Sequence, residues 1–541
     1  MNDLKGERSM CTLCGGRLNH FASRRSFLKG AAATGVAASA LSLFDARPAA
    51  AQDDGPPAES GRPGRRILIR GGTIMSMDPT VGDLVRGDVL IEGKQILAIG
   101  ANLSPAGAQV IDARGRIVMP GFIDTHHHQA WTAIRSSIPD SILIDDGTGT
   151  PGAQQNYFAN ILAGPTGTTG TTGFARHYRP QDVYISELVG GLSQLDNGVT
   201  TVHDISQIHH SPQHSDAAIT ALFDAGRRAA FGYFESAGAV PGNQYPSDAT
   251  RIKNQWFSSS DQLVHMIMGG EVYLGDPTTD QSWTLGRQLG LQIAAHILSP
   301  FGIRPTMDNL ANGVGGNGQI GIGPDNLFIH MTGMSDLAWN KVKEVGAQVS
   351  IAFPIEMNMR HGIPPIHTMQ RLGLEPSLSS DVETNMTACF FTQMRSAMTM
   401  QRMVVNQQIL EQGDFTTTVW PAPAPGTLPL LNVRDVLRYA TINGAKHLRL
   451  DGKTGSLKPG KEADIIILDG THLNVTPVNH VPGAVVQMMD RSNVETVIVA
   501  GKVRKWRGRL LDVDLSKLRK NLEDSRDFIY NAAGVPQNLF R

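Results

Sequence analysis

The chain contains 541 residues, of which 41% are hydrophobic and 18% are charged, and its formal net charge is −1. This composition excludes an intrinsically disordered chain and predicts a globular protein with a large core and more than one domain. The balanced charge gives no reason to expect nucleic acid or an anionic membrane surface as a partner.

Residues 1–51 have the character of a targeting segment. Residues 23–29, Ser-Arg-Arg-Ser-Phe-Leu-Lys, resemble a twin-arginine export signal, and residues 49–51 fit a small-residue cleavage site. The weakly apolar run between them is too short to span a bilayer. We therefore expect the twin-arginine export machinery as a partner, a periplasmic or secreted location and a mature form without a membrane span. An ordinary secretory signal or a retained leader is the alternative.

Two strand-rich flanks enclose the middle of the chain. A polar linker rich in Pro and Gly is predicted over residues 52–65, and short strands and turns follow over residues 66–117. The same pattern returns over residues 453–512. Residues 513–541 form a tail, in which a charged amphipathic helix is predicted over residues 515–530.

Between the flanks, over residues 118–452, predicted strands and helices alternate. This alternation is typical of parallel β/α units and, at this length, of an α/β fold with a (β/α)8 TIM barrel. Residues 117–128, Ile-Val-Met-Pro-Gly-Phe-Ile-Asp-Thr-His-His-His, are predicted to form one buried strand that ends in histidines. The further strands are predicted over residues 198–204, 228–235, 263–268, 291–296, 326–330, 347–354 and 376–381.

Metal-binding side chains fall at the ends of these predicted strands. His126 and His128 are two residues apart, so in a strand both imidazoles point to one side, whereas His127 points to the other. The remaining histidines and carboxylates at strand ends are His203, His296, His330 and Asp381. The carboxyl ends of barrel strands open onto one face, where catalytic groups collect. Imidazole is a common ligand of divalent transition metals, so the pattern predicts a metal centre on that face.

A resemblance to a known family supports this prediction. Residues 120–128, Pro-Gly-Phe-Ile-Asp-Thr-His-His-His, resemble the first barrel strand of the amidohydrolase superfamily, in its branch of cytosine deaminases, adenosylhomocysteine deaminases and triazine hydrolases. Residues 440–445, 455–468 and 494–503 also match hallmarks of that superfamily. The resemblance implies that residues 66–117 and 453–512 combine into one small β-sandwich beside the barrel.

The resemblance also implies a ligand set and a chemistry. His126, His128, His296 and Asp381 would hold one divalent metal ion, with zinc as the first choice and iron or manganese as alternatives, and would leave a position for water. Asp381 would take the proton of this water and pass it to the leaving group. His330 would hydrogen-bond the water or polarise the substrate. The predicted fourth strand carries no lysine that could bridge a second ion, which favours a mononuclear centre.

Further side chains are expected around the substrate. Trp131 either lines the pocket or packs in the core, and His203 either contacts the substrate or supports the ligands. His209, His210 and His214 follow the second predicted strand and belong either to the pocket or to a polar loop.

One position departs from the pattern of the family. Deaminases and several triazine hydrolases of this branch carry His-x-x-Glu on the fifth strand, and the glutamate protonates a ring nitrogen of the substrate. Here the fourth residue of the series that begins with His296 is Ser299, which cannot supply a proton at neutral pH. Either another acid replaces the glutamate, with Glu356 and Glu383 as candidates, or the leaving group needs no ring protonation.

These observations favour a metal-dependent hydrolase of a small molecule, in which activated water attacks a C–N bond of amide type other than a peptide bond. An aminohydrolase or a dechlorinating hydrolase of a nitrogen heterocycle is the first alternative. A metal-dependent decarboxylase or lyase and a non-catalytic binding protein on the same scaffold are further alternatives. A homo-oligomer is compatible with each of them.

Overall fold

A computed structural model describes residues 55–162, 173–238, 240, 242–314, 320–413, 421–537 and 539–540. The predicted leader, with its twin-arginine pattern, and nearly all of the predicted linker before residue 55 lie outside the described residues. From Pro56 onward the chain forms one compact unit. Within the described ranges, no helix is both long enough and apolar enough to cross a bilayer.

The secondary structure is rich in strands at both ends and alternates between strands and helices in the middle. The strands are β1 (Arg66–Met75), β2 (Asp83–Glu92), β3 (Gln95–Gly100), β4 (Ala108–Asp112), β5 (Arg116–Pro120), β6 (Phe122–His127), β7 (Val199–Ser206), β8 (Arg228–Tyr233), β9 (Val264–Gly269), β10 (Ile293–Leu298), β11 (Asn326–Thr332), β12 (Gln348–Ile351), β13 (Ser377–Leu378), β14 (Ile465–Asp469), β15 (Val494–Val499), β16 (Lys502–Trp506) and β17 (Arg509–Leu510). The α-helices are Pro151–Gln154, Pro180–Asp196, Pro212–Asp224, Ala249–Trp256, Thr278–Gln288, Arg304–Ala311, Asp336–Val345, Phe353–Asn358, Ile366–Leu372, Phe390–Glu411, Val433–Tyr439, Ile442–His447, Val481–Gly483 and Leu515–Ala533.

Both ends of the chain contribute to one nine-stranded sheet. Its order is β17-β16-β15-β14-β5-β1-β2-β3, and β4 pairs with β1 outside this path. The two ends meet where β5 and β14 run antiparallel, with Met119 opposite Ile466. Because side chains alternate across a strand, Ile67 and Ile69 of β1 point into the same apolar core as Val118 of β5.

The second sheet is the barrel. Its eight strands run parallel in the order β6 to β13. The gap between its first and last strands is bridged where His127 pairs with Asp381. There the amide of Asp381 donates to the carbonyl of His126 at 3.0 Å, and the amide of His128 donates to the carbonyl of Asp381 at 2.9 Å. The predicted (β/α)8 barrel with an additional strand-rich domain is therefore confirmed, and the seam of the barrel runs through the predicted ligands.

The prediction of a single strand over residues 117–128 is wrong. The stretch divides at Gly121 into β5, which belongs to the nine-stranded sheet, and β6, which belongs to the barrel. A Cβ atom at Gly121 would lie 2.2 Å from the side chain of Thr200, so glycine is required where the chain passes between the sheets. The barrel strand consequently begins after Gly121, later than the predicted boundary at residue 117.

A helical stretch in the C-terminal part of the barrel is divided in two. It consists of the helices Val433–Tyr439 and Ile442–His447. Between them the carbonyl of Ala440 accepts a hydrogen bond from the amide of Ile123 in β6 at 2.9 Å. The helix is thus interrupted where its backbone supports the barrel strand that carries the first ligands.

The tail helix Leu515–Ala533 docks on the barrel. The guanidinium carbon of Arg179 lies 3.4 Å from the centre of the Phe528 ring, and Ser525 Oγ donates to the Asp182 carboxylate at 2.6 Å. This contact explains why an amphipathic, highly charged sequence remains helical at the end of the chain.

Candidate metal centre

Three imidazole nitrogens and a carboxylate meet at the carboxyl ends of the barrel strands. Nε2 of His126 lies 3.0 Å from Nε2 of His128 and 3.1 Å from Nε2 of His296. Oδ1 of Asp381 lies 3.6 Å from Nε2 of His126 and of His128. All four side chains are buried. The barrel thus brings the four predicted ligands together.

This donor set fits a divalent metal ion. Burial, reinforced by the neighbouring histidines, holds the pKa values of His126 and His128 well below their usual value, so both rings are neutral. Each Nε2 atom carries either one proton or one lone pair, so hydrogen bonding alone cannot satisfy both contacts of His126, with His128 and with His296, whereas a cation between the three nitrogens would satisfy them all. Three nitrogen donors and one carboxylate leave room for water, as in catalytic zinc sites.

His127 takes no part in this cluster. Its Nδ1 atom lies 2.8 Å from the carbonyl oxygen of Asp381, on the opposite side of β6 from the converging imidazoles. The alternation expected for the three consecutive histidines therefore holds in the structure, and His127 serves the seam of the barrel.

Two buried carboxylates orient histidines of the centre. Glu271, which follows β9, accepts hydrogen bonds from Nδ1 of His296 and, at 3.0 Å, from its backbone amide. Glu356 accepts from Nδ1 of His330 at 2.8 Å. Each carboxylate fixes the tautomer in which Nε2 is the free nitrogen. Sequence reasoning missed Glu271, although an acidic residue just after the fourth predicted strand was an available signal.

Asp381 and His330 are placed for proton transfer. Oδ2 of Asp381 lies 3.5 Å from Nε2 of His330, whereas Oδ1 faces the other histidines. Both residues adopt left-handed backbone conformations, with φ of 62° and 74°, which cost about 1–3 kcal/mol each and are typical of functional sites. Burial raises the pKa of Asp381 to about 7. One carboxylate can therefore complete the ligand set and exchange a proton with water.

A narrow cavity opens onto the cluster. Apolar and aromatic side chains form most of its wall, and a few polar groups point into it, which is typical of a site for a small molecule. The lining residues are His128, Leu143, Tyr157, Phe158, Leu162, Gln207, Tyr273, His296, Leu298, Phe301, His330, His361 and Asp381.

Two predicted substrate contacts stand behind this wall. The indole of Trp131 is fully buried and donates to the hydroxyl of Tyr157 at 2.9 Å, so it supports a lining residue without lining the cavity itself. His203 is also fully buried, and its Nδ1 atom lies 3.0 Å from the carbonyl oxygen of Thr125 in β6. His203 therefore supports the strand of the first ligands and lies outside the cavity lining.

Neither acid predicted as a replacement for the missing glutamate lines the cavity. Glu356 is held by His330, as described above, and Glu383 accepts from Nε of Arg135 at 2.8 Å. Ser299 is exposed and is not part of the lining. Both acids are engaged because buried carboxylates need hydrogen-bond donors or cations beside them. Neither predicted replacement is therefore placed at the cavity surface to protonate a substrate.

The histidines after the second barrel strand belong to the scaffold. Nε2 of His209 lies 2.8 Å from the carbonyl oxygen of Ser206, and Nε2 of His210 lies 2.9 Å from that of Ala175. Nε2 of His214 makes a similar contact with a backbone carbonyl at 3.1 Å. The alternative of a polar, structural loop therefore describes them, since they lie outside the cavity lining.

The structure adds one histidine that sequence reasoning missed. His361 lines the cavity, its ring centre lies 4.8 Å from that of His330, and neither of its nitrogens has a hydrogen-bond partner within the described part of the chain. It lies in a loop, where no strand end or motif marks it.

Comparison with protein families and curated proteins extends these observations. The model described as "Amidohydrolase family" matches residues 117–504. A 5'-deoxyadenosine deaminase from Methanosarcina barkeri is 27% identical over 480 residues, which cover 85% of this chain and 98% of the relative. A 5-methylthioadenosine/S-adenosylhomocysteine deaminase from Thermococcus kodakarensis is 25% identical over 449 residues, which cover 81% of this chain and 93% of the relative.

Solved structures show the same fold. An adenosine deaminase from Xanthomonas campestris with bound zinc superposes with a TM-score of 0.68 at 21% identity, covering 88% of this chain and 100% of that one. An atrazine chlorohydrolase from Arthrobacter aurescens, complexed with zinc, gives a TM-score of 0.67 at 19% identity, covering 85% of this chain and 100% of that one. The family match spans most of the chain and includes the metal centre. The protein is a metal-dependent hydrolase of carbon–nitrogen bonds other than peptide bonds, and it belongs to the amidohydrolase family.

Proposed function

We propose that this protein is an aminohydrolase, which replaces the amino group of a nitrogen heterocycle with oxygen and releases ammonia. The observation that carries the proposal is the convergence of His126, His128, His296 and Asp381, the last three of which line a narrow cavity with an aromatic wall. Full-length similarity to deaminases supports this reaction. From the sequence alone, Ser299 favoured hydrolysis of an amide-type bond, and an aminohydrolase was the first alternative. We now prefer the aminohydrolase.

The side chains of the centre divide the chemistry among them. A divalent ion bound there lowers the pKa of a water molecule toward neutrality. Asp381 Oδ2 is placed to take the proton of this water and to deliver it to the departing amino group. Burial keeps His330 neutral by holding its pKa well below the usual value. Its Nδ1 proton is donated in a hydrogen bond to Glu356. Nε2 of His330 therefore accepts a hydrogen bond and aims the water at the substrate.

We propose zinc as the metal and one ion per chain. Nitrogen-rich donor sets favour zinc over calcium or magnesium. The fourth strand is followed by Glu271, which is engaged by His296, where a lysine would be needed to bridge a second ion. Metal analysis of the purified protein distinguishes zinc from iron and manganese and counts the ions per chain.

The test is product analysis with metal-loaded protein and a panel of aminopurines, aminopyrimidines, aminotriazines, chlorotriazines and cyclic amides. We expect ammonia from at least one amine, and we expect His126→Ala to abolish both this release and metal binding. His472→Ala is the matched control, because His472 is an exposed histidine remote from the lining and should leave both unchanged. Amine and carboxylate from amides, without ammonia from amines, would replace the proposal by amide hydrolysis. A loaded protein without any product would point to a lyase or a binding protein.

We also propose that the twin-arginine machinery exports the protein. The support is the sequence pattern around Arg24 and Arg25, followed by the apolar run and the small-residue site. Replacing both arginines by lysine should retain the protein in the cytoplasm, as cell fractionation would show. Unchanged export of this variant would refute the proposal.

A further inference from the structure

Deamination of a heterocycle needs a proton donor that faces the ring. When water adds to the carbon that bears the amino group, negative charge develops on the adjacent ring nitrogen, and a general acid must neutralise it. The exposed Ser299 lacks a suitable proton and lies outside the cavity lining. The structure therefore raises the question of which other acid reaches the site.

We propose that Glu235 is this acid and donates its proton to a ring nitrogen of the substrate. The inference rests on the aminohydrolase function proposed above. Glu235 follows the third barrel strand, β8, and was included at the end of the third predicted strand without a role.

The hydrogen bonds of Glu235 leave one oxygen for a substrate. Oε1 accepts from Nε2 of Gln207 at 2.8 Å and from the hydroxyl of Tyr273. Both donors line the cavity, and Glu235 lies directly behind them, outside the lining itself. Oε2 is shielded from solvent and has no hydrogen-bond partner among the described residues. Because two donors hold Oε1 as the carbonyl oxygen, the proton of the acid belongs on Oε2.

The other carboxylates near the centre are bound differently. Both oxygens of Glu271 accept hydrogen bonds from His296. Oε1 of Glu356 accepts from His330 and from the amide of Ala352, and its Oε2 also lacks a partner among the described residues, but no side-chain donor that binds it comes from the part of the cavity wall formed by Gln207 and Tyr273. An unsatisfied buried polar atom requires an explanation, because leaving it without a partner costs about 1–3 kcal/mol. A substrate nitrogen that accepts from Oε2 of Glu235 provides that explanation.

The surroundings of Glu235 favour its protonated form. Burial, together with the negative charge of Glu271, raises the pKa of Glu235 to about 8, although the hydrogen bond from Tyr273 and the proximity of His296 act in the opposite direction. The titratable groups that face it are Glu271, His296, Tyr157, Tyr245 and Tyr273.

The proposed step balances in protons and electrons. As the water oxygen bonds to the ring carbon, the electrons of the C=N bond move to nitrogen, which takes the proton from Oε2 of Glu235. Asp381 takes one proton of the water and delivers it to the amino group. The C–N bond then breaks, ammonia leaves, and the remaining hydroxyl proton returns to Glu235 as the C=O bond forms. One water is consumed, and both carboxyl groups return to their initial states.

The decisive variant is Glu235→Gln, which keeps the shape and can accept from Gln207 and Tyr273 but has no proton to transfer. We expect kcat/KM for a neutral heterocyclic amine to fall by about 10²–10⁴-fold, with unchanged metal content. An N-alkylated, permanently cationic form of the same amine needs no proton, so on this substrate the variant should regain most of the wild-type rate. Glu235→Asp keeps an acid and should retain part of the activity.

The pH profile provides a second readout. A general acid acts in its protonated form, so wild-type kcat/KM should fall as the pH rises through about 8, and Glu235→Gln should lose this alkaline limb. Glu187→Gln is the matched control. Glu187 is also buried with a raised pKa, but its partner Gln129, at 3.1 Å, does not line the cavity, whereas the partners of Glu235 do, so both rate and profile should stay near wild type.

The outcomes separate this inference from the proposed function. Ammonia release by the wild type together with a Glu235→Gln variant of normal rate and normal alkaline limb would overturn the role of Glu235 alone. An equal loss on the neutral and the cationic amine would also overturn it, because the side chain would then be structural. A wild-type protein that releases no ammonia from any amine would overturn the aminohydrolase proposal and, with it, the role of Glu235.

Discussion

Glu271 shows how a residue outside the ligand set controls the metal centre. Burial opposes the charged form of His296, but the adjacent Glu271 carboxylate outweighs it and raises the pKa of His296. The same carboxylate accepts from both the ring and the backbone amide of His296, so it sets the direction in which Nε2 points. The position of this ligand therefore depends on a neighbour from another barrel strand.

Replacing Glu271 by glutamine should weaken metal binding by about 10–100-fold, because the neutral amide holds the imidazole less firmly and reduces its basicity. Competition with a chromogenic chelator measures the affinity. Glu344→Gln is a suitable control, since Glu344 is 69% exposed and pairs only with the surface residue Lys341 in a contact that screening weakens. Equal affinities of the Glu271→Gln variant and the wild type would show that Glu271 does not position His296.

At the scale of elements, the barrel depends on one carboxylate at its seam. Oδ1 of Asp124 in β6 accepts from the backbone amides of His126 at 3.2 Å and Ser380 at 3.1 Å. Its Oδ2 atom accepts from Nε2 of Gln194 at 2.6 Å and from the hydroxyl of Ser380. The side chain is fully buried and connects β6 with the segment that leads from β13 to Asp381. Asp124 thus helps to hold β6, which bears His126, in register with the segment that bears Asp381.

Replacing Asp124 by alanine should lower the free energy of unfolding by at least about 3 kcal/mol, because several buried donors lose their acceptor at about 1–3 kcal/mol each. The change is measured as a shift of the urea unfolding midpoint. Asp112→Ala, which removes an exposed carboxylate paired with Arg114, should change stability by less than about 1 kcal/mol. Similar unfolding midpoints for the two variants would show that the hydrogen bonds of Asp124 do not stabilise the contact between the first and last strands of the barrel.

At the scale of the whole molecule, an ionic junction connects the barrel with the nine-stranded sheet. Arg228, the first residue of β8, donates from Nε to Asp464 at 2.9 Å and from Nη2 to Glu462 at 2.7 Å. The arginine side chain is 1% exposed and the Asp464 side chain 0% exposed. The backbone carbonyl of Asp464 also accepts from the amide of Gly121, where the chain passes from one sheet to the other.

Replacing Arg228 by alanine should destabilise the protein by about 3–5 kcal/mol, because the carboxylate of Asp464 would remain buried without its cation and Glu462 would keep only its longer contact with Lys94. Thermal unfolding followed by circular dichroism measures the loss. The control is Arg114→Ala, since Arg114 is 73% exposed and its removal should stay within about 0.5 kcal/mol. A small effect at Arg228 would mean that the apolar contacts between the two sheets suffice to hold them together.

Local patterns allowed most of the fold and the ligand set to be predicted. The alternation of apolar runs with amphipathic helices indicated the barrel, because a parallel strand that is buried on both faces is a nearly continuous run of apolar residues. The spacing of His126 and His128 predicted their convergence because strand geometry is local. The prediction of one strand over residues 117–128 failed, because the change of sheet at Gly121 depends on the side chain of Thr200.

The sequence by itself thus determined the fold class and the residue types able to hold a metal ion. Only the tertiary structure decided which carboxyl group meets which histidine, and that Gln207 and Tyr273 of the cavity wall bind Oε1 of Glu235 while its Oε2 is left without a partner among the described residues. The reason is physical: strand periodicity acts between neighbours in the chain, whereas the partner of a buried charge is selected among groups from different strands by desolvation and hydrogen bonding.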